Sequence, residues 1–81
     1  MTIQCRFFAR YAEIIGSDLV SVAVPAGASV ATAVAVVRHV VHNGDKIPER
    51  PMVAVNQEHA LPDLELRDGD EVAFLPPLAG G

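Results

Sequence analysis

The chain has 81 residues, which is enough for one domain with a modest hydrophobic core. It is 51% hydrophobic and 20% charged, as globular proteins are, and its net charge of −4 argues against nucleic acid as the main partner. No apolar run approaches the ~20 residues that span a bilayer and no signal segment opens the chain, so we expect a cytoplasmic protein without a membrane partner. Cys5 is the only cysteine, which excludes an internal disulfide.

The first quarter of the chain predicts a strand, a short helix and a second strand. Residues 2–8 alternate, and one face of this strand carries only apolar side chains: Ile3, Cys5 and Phe7. Phe8 falls on the polar face, where a large aromatic side chain needs a reason. Residues 9–15 predict a short helix that Gly16 ends, and residues 19–24 predict a second strand. The two strands are expected to form an antiparallel, hairpin-like pair.

A longer helix is predicted from residue 30, with Ser29 as its N-cap and Asn43-Gly44 as its stop. Its apolar residues follow helical spacing: Ala33, Val34, Val37, Val40 and Val41. The many valines suit a strand, but a length of about 14 residues favours a helix. Residues 45–51 read as a polar loop. Further strands are predicted at 52–55, 60–61 and 71–75, giving an α+β domain with one long helix across a sheet face.

The last strand leads into a tail, Pro76-Pro77-Leu78-Ala79-Gly80-Gly81, that cannot continue a sheet because proline donates no ladder hydrogen bond. We predict a domain over residues 1–75 and a flexible tail over residues 76–81. The α-carboxylate of Gly81 is the last group of the sequence, and no bulky side chain stands beside it. Six extended residues reach roughly 20 Å at about 3.3–3.6 Å per residue. A terminal Gly-Gly alone is more often just a frayed end.

Several short motifs together resemble the MoaD branch of the MoaD/ThiS sulfur-carrier family: Phe7-Phe8-Ala9 with Glu13 and Gly16, Ala54-Val55-Asn56-Gln57, Asp68-Gly69-Asp70-Glu71-Val72-Ala73-Phe74, and Pro76-Pro77 before Gly80-Gly81. The resemblance covers the whole chain. It implies a ubiquitin-like β-grasp fold, in which the last strand pairs in parallel with the first. Where this branch often has a second aromatic residue, the chain has Leu75.

The resemblance also implies a chemistry for the tail. A ubiquitin-activating-like adenylyltransferase would adenylate the carboxylate of Gly81, and a sulfur donor system would convert it to a thiocarboxylate. The large subunit of molybdopterin synthase, in a heterotetramer, would then receive the sulfur for the pyranopterin precursor of molybdopterin. Gly81 is the reactive residue in this scheme, and the preceding residues position it: Gly80, Ala79, Leu78, Pro77 and Pro76. The chain would be a donor subunit that binds no cofactor, and it has no Gly-x-x-x-x-Gly-Lys loop for ATP.

Strand parity predicts a docking surface at the base of the tail. Val72 and Phe74 are expected to face the helix, which leaves Phe8 and Leu75 on the open face. The predicted partner-binding residues are these two and His59. Loops that cover the two apolar residues are the alternative. Acidic residues crowd the same end and would steer a basic partner: Asp63, Glu65, Asp68, Asp70 and Glu71.

Other functions stay open at this point. The chain could carry sulfur for the thiamine thiazole or for another acceptor, modify proteins through Gly81 as ubiquitin does, or be a β-grasp interaction module with an inert tail. No metal site is expected, since His39 and His42, three apart on the helix, read as a surface pair.

Overall fold

The computed structural model describes residues 1–77. Five strands are present in this part of the chain: β1 (Thr2–Phe7), β2 (Leu19–Ala23), β3 (Met52–Val55), β4 (Glu58–His59) and β5 (Glu71–Leu75). The helices are α1 (Ala9–Ile15) and α2 (Val30–Val40), followed by a single 3₁₀ turn at Gly44–Lys46. The strands form one mixed sheet in the order β2-β1-β5-β3-β4.

The last strand, β5, occupies the centre of the sheet. It pairs in parallel with β1, where Phe7 lies opposite Phe74, and antiparallel with β3, where Met52 lies opposite Leu75. β1 and β2 form the predicted antiparallel pair, with α1 inside their connection. The predicted parallel pairing of the first and last strands is therefore confirmed, and so is the α+β fold class.

The core lies between one face of the sheet and α2. Phe7 and Phe74 stack at the middle of the sheet, with ring centroids 5.0 Å apart. The strand residues on this face are fully buried, as the alternation predicted: Ile3, Cys5, Phe7, Val72 and Phe74. The buried residues of α2 fall at helical spacing on a single face: Val30, Ala33, Val34 and Val37. Burial of these side chains fixes which face of the sheet remains open.

Helix α2 begins where predicted but ends earlier. The Ser29 hydroxyl accepts a hydrogen bond from the backbone N–H of Thr32 at 3.2 Å, which is an N-cap. The helix stops at Val40 because the backbone of Val41 is extended (φ −84°, ψ 140°). Two residues later, Asn43 is left-handed (φ 60°) and donates from Nδ2 to the carbonyl of Ile14 at 2.8 Å. Val40 is 61% exposed, so its helical spacing did not place it in the core.

The short strand is also displaced from its predicted position at residues 60–61. It lies at Glu58–His59, directly after a two-residue turn in which Asn56 and Gln57 both have positive φ. Such a turn closes a tight hairpin, and Val55 accordingly lies opposite Glu58. Glutamine gives no sequence signal for a positive φ, which is why the turn was predicted too long.

Candidate functional site at the open face of the sheet

The tail leaves the domain from the central strand. β5 ends at Leu75, Pro76 is half-buried and Pro77 is exposed. Of the six tail residues to which the sequence assigned positioning or reaction, four lie outside the described residues: Leu78, Ala79, Gly80 and Gly81. The predicted roles of these residues and the flexibility of the tail therefore stay predictions, while the point of departure is defined.

Three apolar side chains surround this point on the open face of the sheet. Phe8 and Leu75 follow the paired residues Phe7 and Phe74 on adjacent strands, and Met52 is the partner of Leu75 on β3. Phe8 is 42% exposed, Met52 is 53% exposed and Leu75 is half-buried. We call Phe8, Leu75 and Met52 the exit patch. No charged residue belongs to it, so it is an apolar surface at the base of the tail.

One row of side chains crosses all five strands next to the exit patch. The registers align its members from one edge of the sheet to the other: Leu19, Arg6, Ala73, Ala54 and His59. Ala73 and Ala54 are buried although they point to the open side, because larger neighbours flank them. His59 is exposed at the far edge, on the same face as the exit patch but in this second row. The row is therefore shallowest at its two alanines, which lie between larger side chains.

The acidic turn lies at the opposite end of β5 from the tail, so its predicted position beside the tail is wrong. Residues 67–70 precede β5, and a five-residue strand at about 3.3 Å per residue separates the two ends by roughly 16 Å. The carboxylates of this turn also have structural partners. Asp68 accepts from the N–H of Thr2 at 2.8 Å, and Asp70 accepts from the side chain of Asn56 at 3.0 Å. These two aspartates close the turn that starts β5.

The charged pair nearest the exit patch is weak. Arg6 Nε lies 3.5 Å from Glu71 Oε2, and both side chains are about one-third exposed. Solvent screens such pairs, which contribute about 0–1 kcal/mol. Apolar contact, rather than this ion pair, is therefore what the open face offers a partner near the tail.

The remaining reactive side chains form no site. Burial raises the pKa of the Cys5 thiol to about 12, so this residue is the neutral, buried group that the sequence predicted. His39 lies in α2 while His42 lies beyond its end, and both are exposed. Between residues 1 and 77, no three His, Cys, Asp or Glu side chains gather as a metal site would require. No helix in that range is long and apolar enough to cross a bilayer.

Sequence reasoning missed Met52 and Leu19 on the open face. Alternation along β3 places Met52 opposite in parity to Val53, which was a usable signal. That signal gains meaning only when the register with β5 is known, because Met52 becomes a neighbour of the tail through its pairing with Leu75. Leu19 needed the register with β1 in the same way.

The fold and this site define a class of protein. A mixed sheet with parallel first and last strands, a long helix across one face and a tail leaving the central strand is a ubiquitin-like β-grasp domain. The model of the ThiS family matches residues 5–81, and the chain belongs to that family. The resemblance read from the sequence motifs is thereby confirmed.

Relatives and solved structures agree with this assignment. The chain is similar to the molybdopterin synthase sulfur carrier subunit of Escherichia coli, with 37% identity over 98% of the chain and 99% of the relative. It resembles the crystal structure of small archaeal modifier protein 1 from Haloferax volcanii with a TM-score of 0.83, at 27% identity over 95% of the chain and 98% of that structure. A complex of subunits 1 and 2 of the molybdopterin-converting factor from Helicobacter pylori shares the fold, with a TM-score of 0.70 and 21% identity over 100% of both chains.

Proposed function

We propose that the chain is the sulfur carrier, and small subunit, of a molybdopterin synthase. One observation carries the proposal: the chain leaves the central strand beside an exposed apolar patch and continues directly as Pro-Pro-Leu-Ala-Gly-Gly. The patch offers a partner something to bind at the base of a segment that can reach into a pocket. The full-length similarity to a sulfur carrier subunit supports the same function.

The reacting group in this proposal is the α-carboxylate of Gly81. An ionised carboxylate is a poor electrophile, and its pKa of about 3.3–3.7 keeps it ionised at neutral pH. A ubiquitin-activating-like adenylyltransferase joins it to AMP from ATP with loss of pyrophosphate. Hydrosulfide from the sulfur donor system then attacks the acyl carbon, so a C–S bond forms, the bond from this carbon to the bridging oxygen breaks, and AMP leaves with that oxygen and the electron pair. The product is a thiocarboxylate, and because loading consumes ATP we expect the cycle to run in the cytoplasm.

In this proposal the domain binds the large synthase subunit, and the tail brings the sulfur into its pocket. The exit patch lies against the large synthase subunit, and Pro76 and Pro77 restrict the direction in which the tail departs, since proline fixes φ. Gly80 and Gly81 pass where a Cβ would clash. Two deliveries supply the two sulfurs of the dithiolene in molybdopterin. The large subunit provides the pocket and the pyranopterin precursor, and the assembly is expected to be a heterotetramer.

Mass spectrometry of the C-terminal peptide tests the proposal. Cleavage after Arg67 releases residues 68–81, which contain neither methionine nor cysteine. Replacement of one terminal oxygen by sulfur adds about 16 Da, and in this peptide methionine oxidation cannot imitate that gain. We expect the gain after incubation with the activating enzyme, ATP and a sulfur donor. An unchanged mass under conditions that load an authentic carrier would contradict the proposal.

Variants at the terminus separate chemistry from folding. Deletion of Gly81, or addition of one alanine after it, is expected to abolish molybdopterin formation while the melting temperature stays that of the wild type, because termini contribute little to the fold. The matched control is Ala35→Ser, a small change at an exposed position of α2 that leaves residues 76–81 intact. A chain without Gly81 that still supported molybdopterin synthesis would refute the assignment.

A protein modifier is the second candidate, and the similarity to small archaeal modifier protein 1 favours it. In that case Gly81 forms an isopeptide bond with a lysine of a target protein. The same peptide experiment separates the two functions, since conjugation yields a branched peptide of much larger mass and carriage of sulfur yields a gain of about 16 Da. A family member that does both would give both products.

A further inference from the structure

Strand β2 forms one outer edge of the sheet and has none of the usual protection against pairing with another strand. Its five residues, Leu-Val-Ser-Val-Ala, include no charge and no proline, in a chain whose net charge is −4. Outer strands commonly carry lysine, proline or a bulge, because unpaired main-chain groups attract a further strand. The edge is therefore chemically open to an extended partner.

The hydrogen bonds at both ends of β2 show which main-chain groups face outward. The N–H of Phe7 donates to the backbone carbonyl of Asp18 at 3.0 Å, and the N–H of Val24 donates to the backbone carbonyl of Met1 at 2.9 Å. Alternate residues of an antiparallel strand bond to the same neighbour, so Val20 and Val22 also face β1. The outward set consists of the residues between them: Leu19, Ser21 and Ala23.

One of these three residues is already occupied. The hydroxyl of Ser17 donates to the carbonyl of Leu19 at 3.0 Å and accepts from its N–H at 3.3 Å. Within residues 1–77, no such contact is made to the outward main-chain groups of Ser21 and Ala23. Ser17 thus shields one end of the edge while the centre stays open.

An apolar groove runs along the same edge. It has a volume of about 480 Å³ between β2 and the end of α2, and its apolar lining includes Ile15, Val20, Val22, Val40 and Val41. Val40, which is 61% exposed, stands on its rim. A strand added to β2 would extend the sheet beneath these residues and cover them.

We propose that two copies of the chain pair through β2, antiparallel, about a two-fold axis at Ser21. Each Ser21 then exchanges both of its main-chain hydrogen bonds with the Ser21 of the other copy, and Leu19 lies opposite Ala23. This register matches outward groups only with outward groups. The two-fold axis also brings the two α2 ends together, so that Val40 of each copy covers the groove of the other.

Charge argues for a second copy rather than a different partner. The edge strand and the lining of its groove contain no Asp, Glu, Lys or Arg, so two acidic chains meet where neither repels the other. The pairing is expected to be weak, because the surface that a five-residue strand buries is smaller than the roughly 800 Å² per partner of a standard interface. The exit patch is a separate surface around the ends of β1 and β5, and the inference does not rest on the proposed function.

Removal of the Ser17 hydroxyl is expected to strengthen the pairing. The Leu19–Ala23 bonds form only when the Ser17 hydroxyl leaves Leu19, so Ser17 opposes association. Ser17→Ala is expected to lower the dimer dissociation constant at least about two- to tenfold, the effect of one ordinary hydrogen bond, because each of the two copies breaks its Ser17–Leu19 contact on pairing. A substitution that removes a polar group at the end of the paired edge should thus strengthen the dimer.

Sedimentation velocity of the full chain from about 10 μM to about 1 mM tests the inference, a range suited to an interface below standard size. Ser21→Lys places two ammonium groups at the axis, and Ala23→Pro removes an outward N–H without touching the β1 ladder. Both variants are expected to stay monomeric. Ala35→Lys, at an exposed position of α2, makes the same charge change as Ser21→Lys and should associate as the wild type does.

Every outcome of these measurements either supports or rejects the pairing through β2. Concentration-dependent dimers that Ser21→Lys and Ala23→Pro abolish and Ser17→Ala strengthens support the pairing. A wild-type chain that is monomeric at the highest concentration overturns it. So does association that Ser21→Lys and Ala35→Lys weaken equally, since another surface would then be responsible. A Ser17→Ala dissociation constant no lower than that of the wild type also rejects the register at Ser21.

Discussion

Replacing Phe8 by alanine should weaken partner binding more than it weakens the fold. Phe8 and Phe7 are adjacent in sequence but lie on opposite faces of the sheet. Phe7 is 1% exposed and stacks on Phe74, whereas Phe8 is 42% exposed beside Leu75. The backbone carbonyl of Phe8 accepts from Tyr11 N–H at 3.0 Å, and this bond survives loss of the side chain. The start of α1 is therefore expected to persist in Phe8→Ala.

The structure sets the two magnitudes. Full burial of a phenylalanine stabilises a fold by about 1.5–3 kcal/mol, and little more than half of Phe8 is buried, without an enclosed cavity to add to the loss. Phe8→Ala should therefore cost about 1 kcal/mol, or roughly 4–8 °C in melting temperature for a domain of this size. An aromatic anchor at the centre of an interface contributes at least about 1–2 kcal/mol, which weakens binding about 5- to 30-fold when lost.

Calorimetric titration with the large synthase subunit, paired with thermal unfolding, measures both effects. Leu64→Ala is the matched control, because Leu64 is 43% exposed but lies in the connection before Leu66, away from the exit patch. We expect the two variants to lose similar stability and only Phe8→Ala to lose affinity. Equal affinity for Phe8→Ala and the wild type would show that the exit patch does not dock, whatever its exposure.

Three further predictions concern the fold. A Cβ at Gly44 would overlap the carbonyl oxygen of Val37, so Gly44→Ala should lower the free energy of unfolding by more than about 2 kcal/mol, measured in urea. Gly16→Ala, at φ 85° in open space, should lower it by about 1–2 kcal/mol. Equal losses in the two variants would contradict this reasoning. Burial raises the pKa of the Cys5 thiol from 9.0 to about 12. The neutral thiol therefore contributes its full stabilisation below pH 9.0, and this contribution is lost as the pH rises toward 12. Alkylation of Cys5 just below pH 9.0 should be far slower in the folded protein than in the protein unfolded in urea. Asp70→Ala should lower the unfolding free energy by about 1–2 kcal/mol, because Asp70 accepts from two donors, and thermal melting against the exposed control Asp63→Ala measures this.

Local pattern was sufficient for most of the elements. The parity of β1 and β5 placed Phe7 and Phe74 in the core correctly, because burial on one face imposes a period of two. Ser29 marked the start of α2 because its hydroxyl satisfies an N–H that the helix leaves unpaired. Signals of this kind act over three or four residues, so they are visible in one sequence.

Features that depend on distant partners were not predictable in the same way. Val40 continues the helical spacing, but the contact between Asn43 and the Ile14 carbonyl draws the chain away, and the two residues are 29 positions apart. The acidic turn was placed beside the tail because the two are close in sequence, although β5 holds them at opposite ends. Met52 joins Leu75 only through the strand register. For Val40 and Met52 the deciding contact joins segments far apart in the chain, whereas the position of the acidic turn follows from the length of β5 alone.

The position of β5 bears on how a carrier of this kind works. A central strand is hydrogen-bonded on both sides, here by β1 and β3, and core strands are the last to open in native-state fluctuations. β5 therefore gives the domain a firmly held base up to Leu75, and the predicted tail starts from it at Pro76. A tail on the edge strand β2 would have lacked that support, and β2 is the strand left open to a second copy.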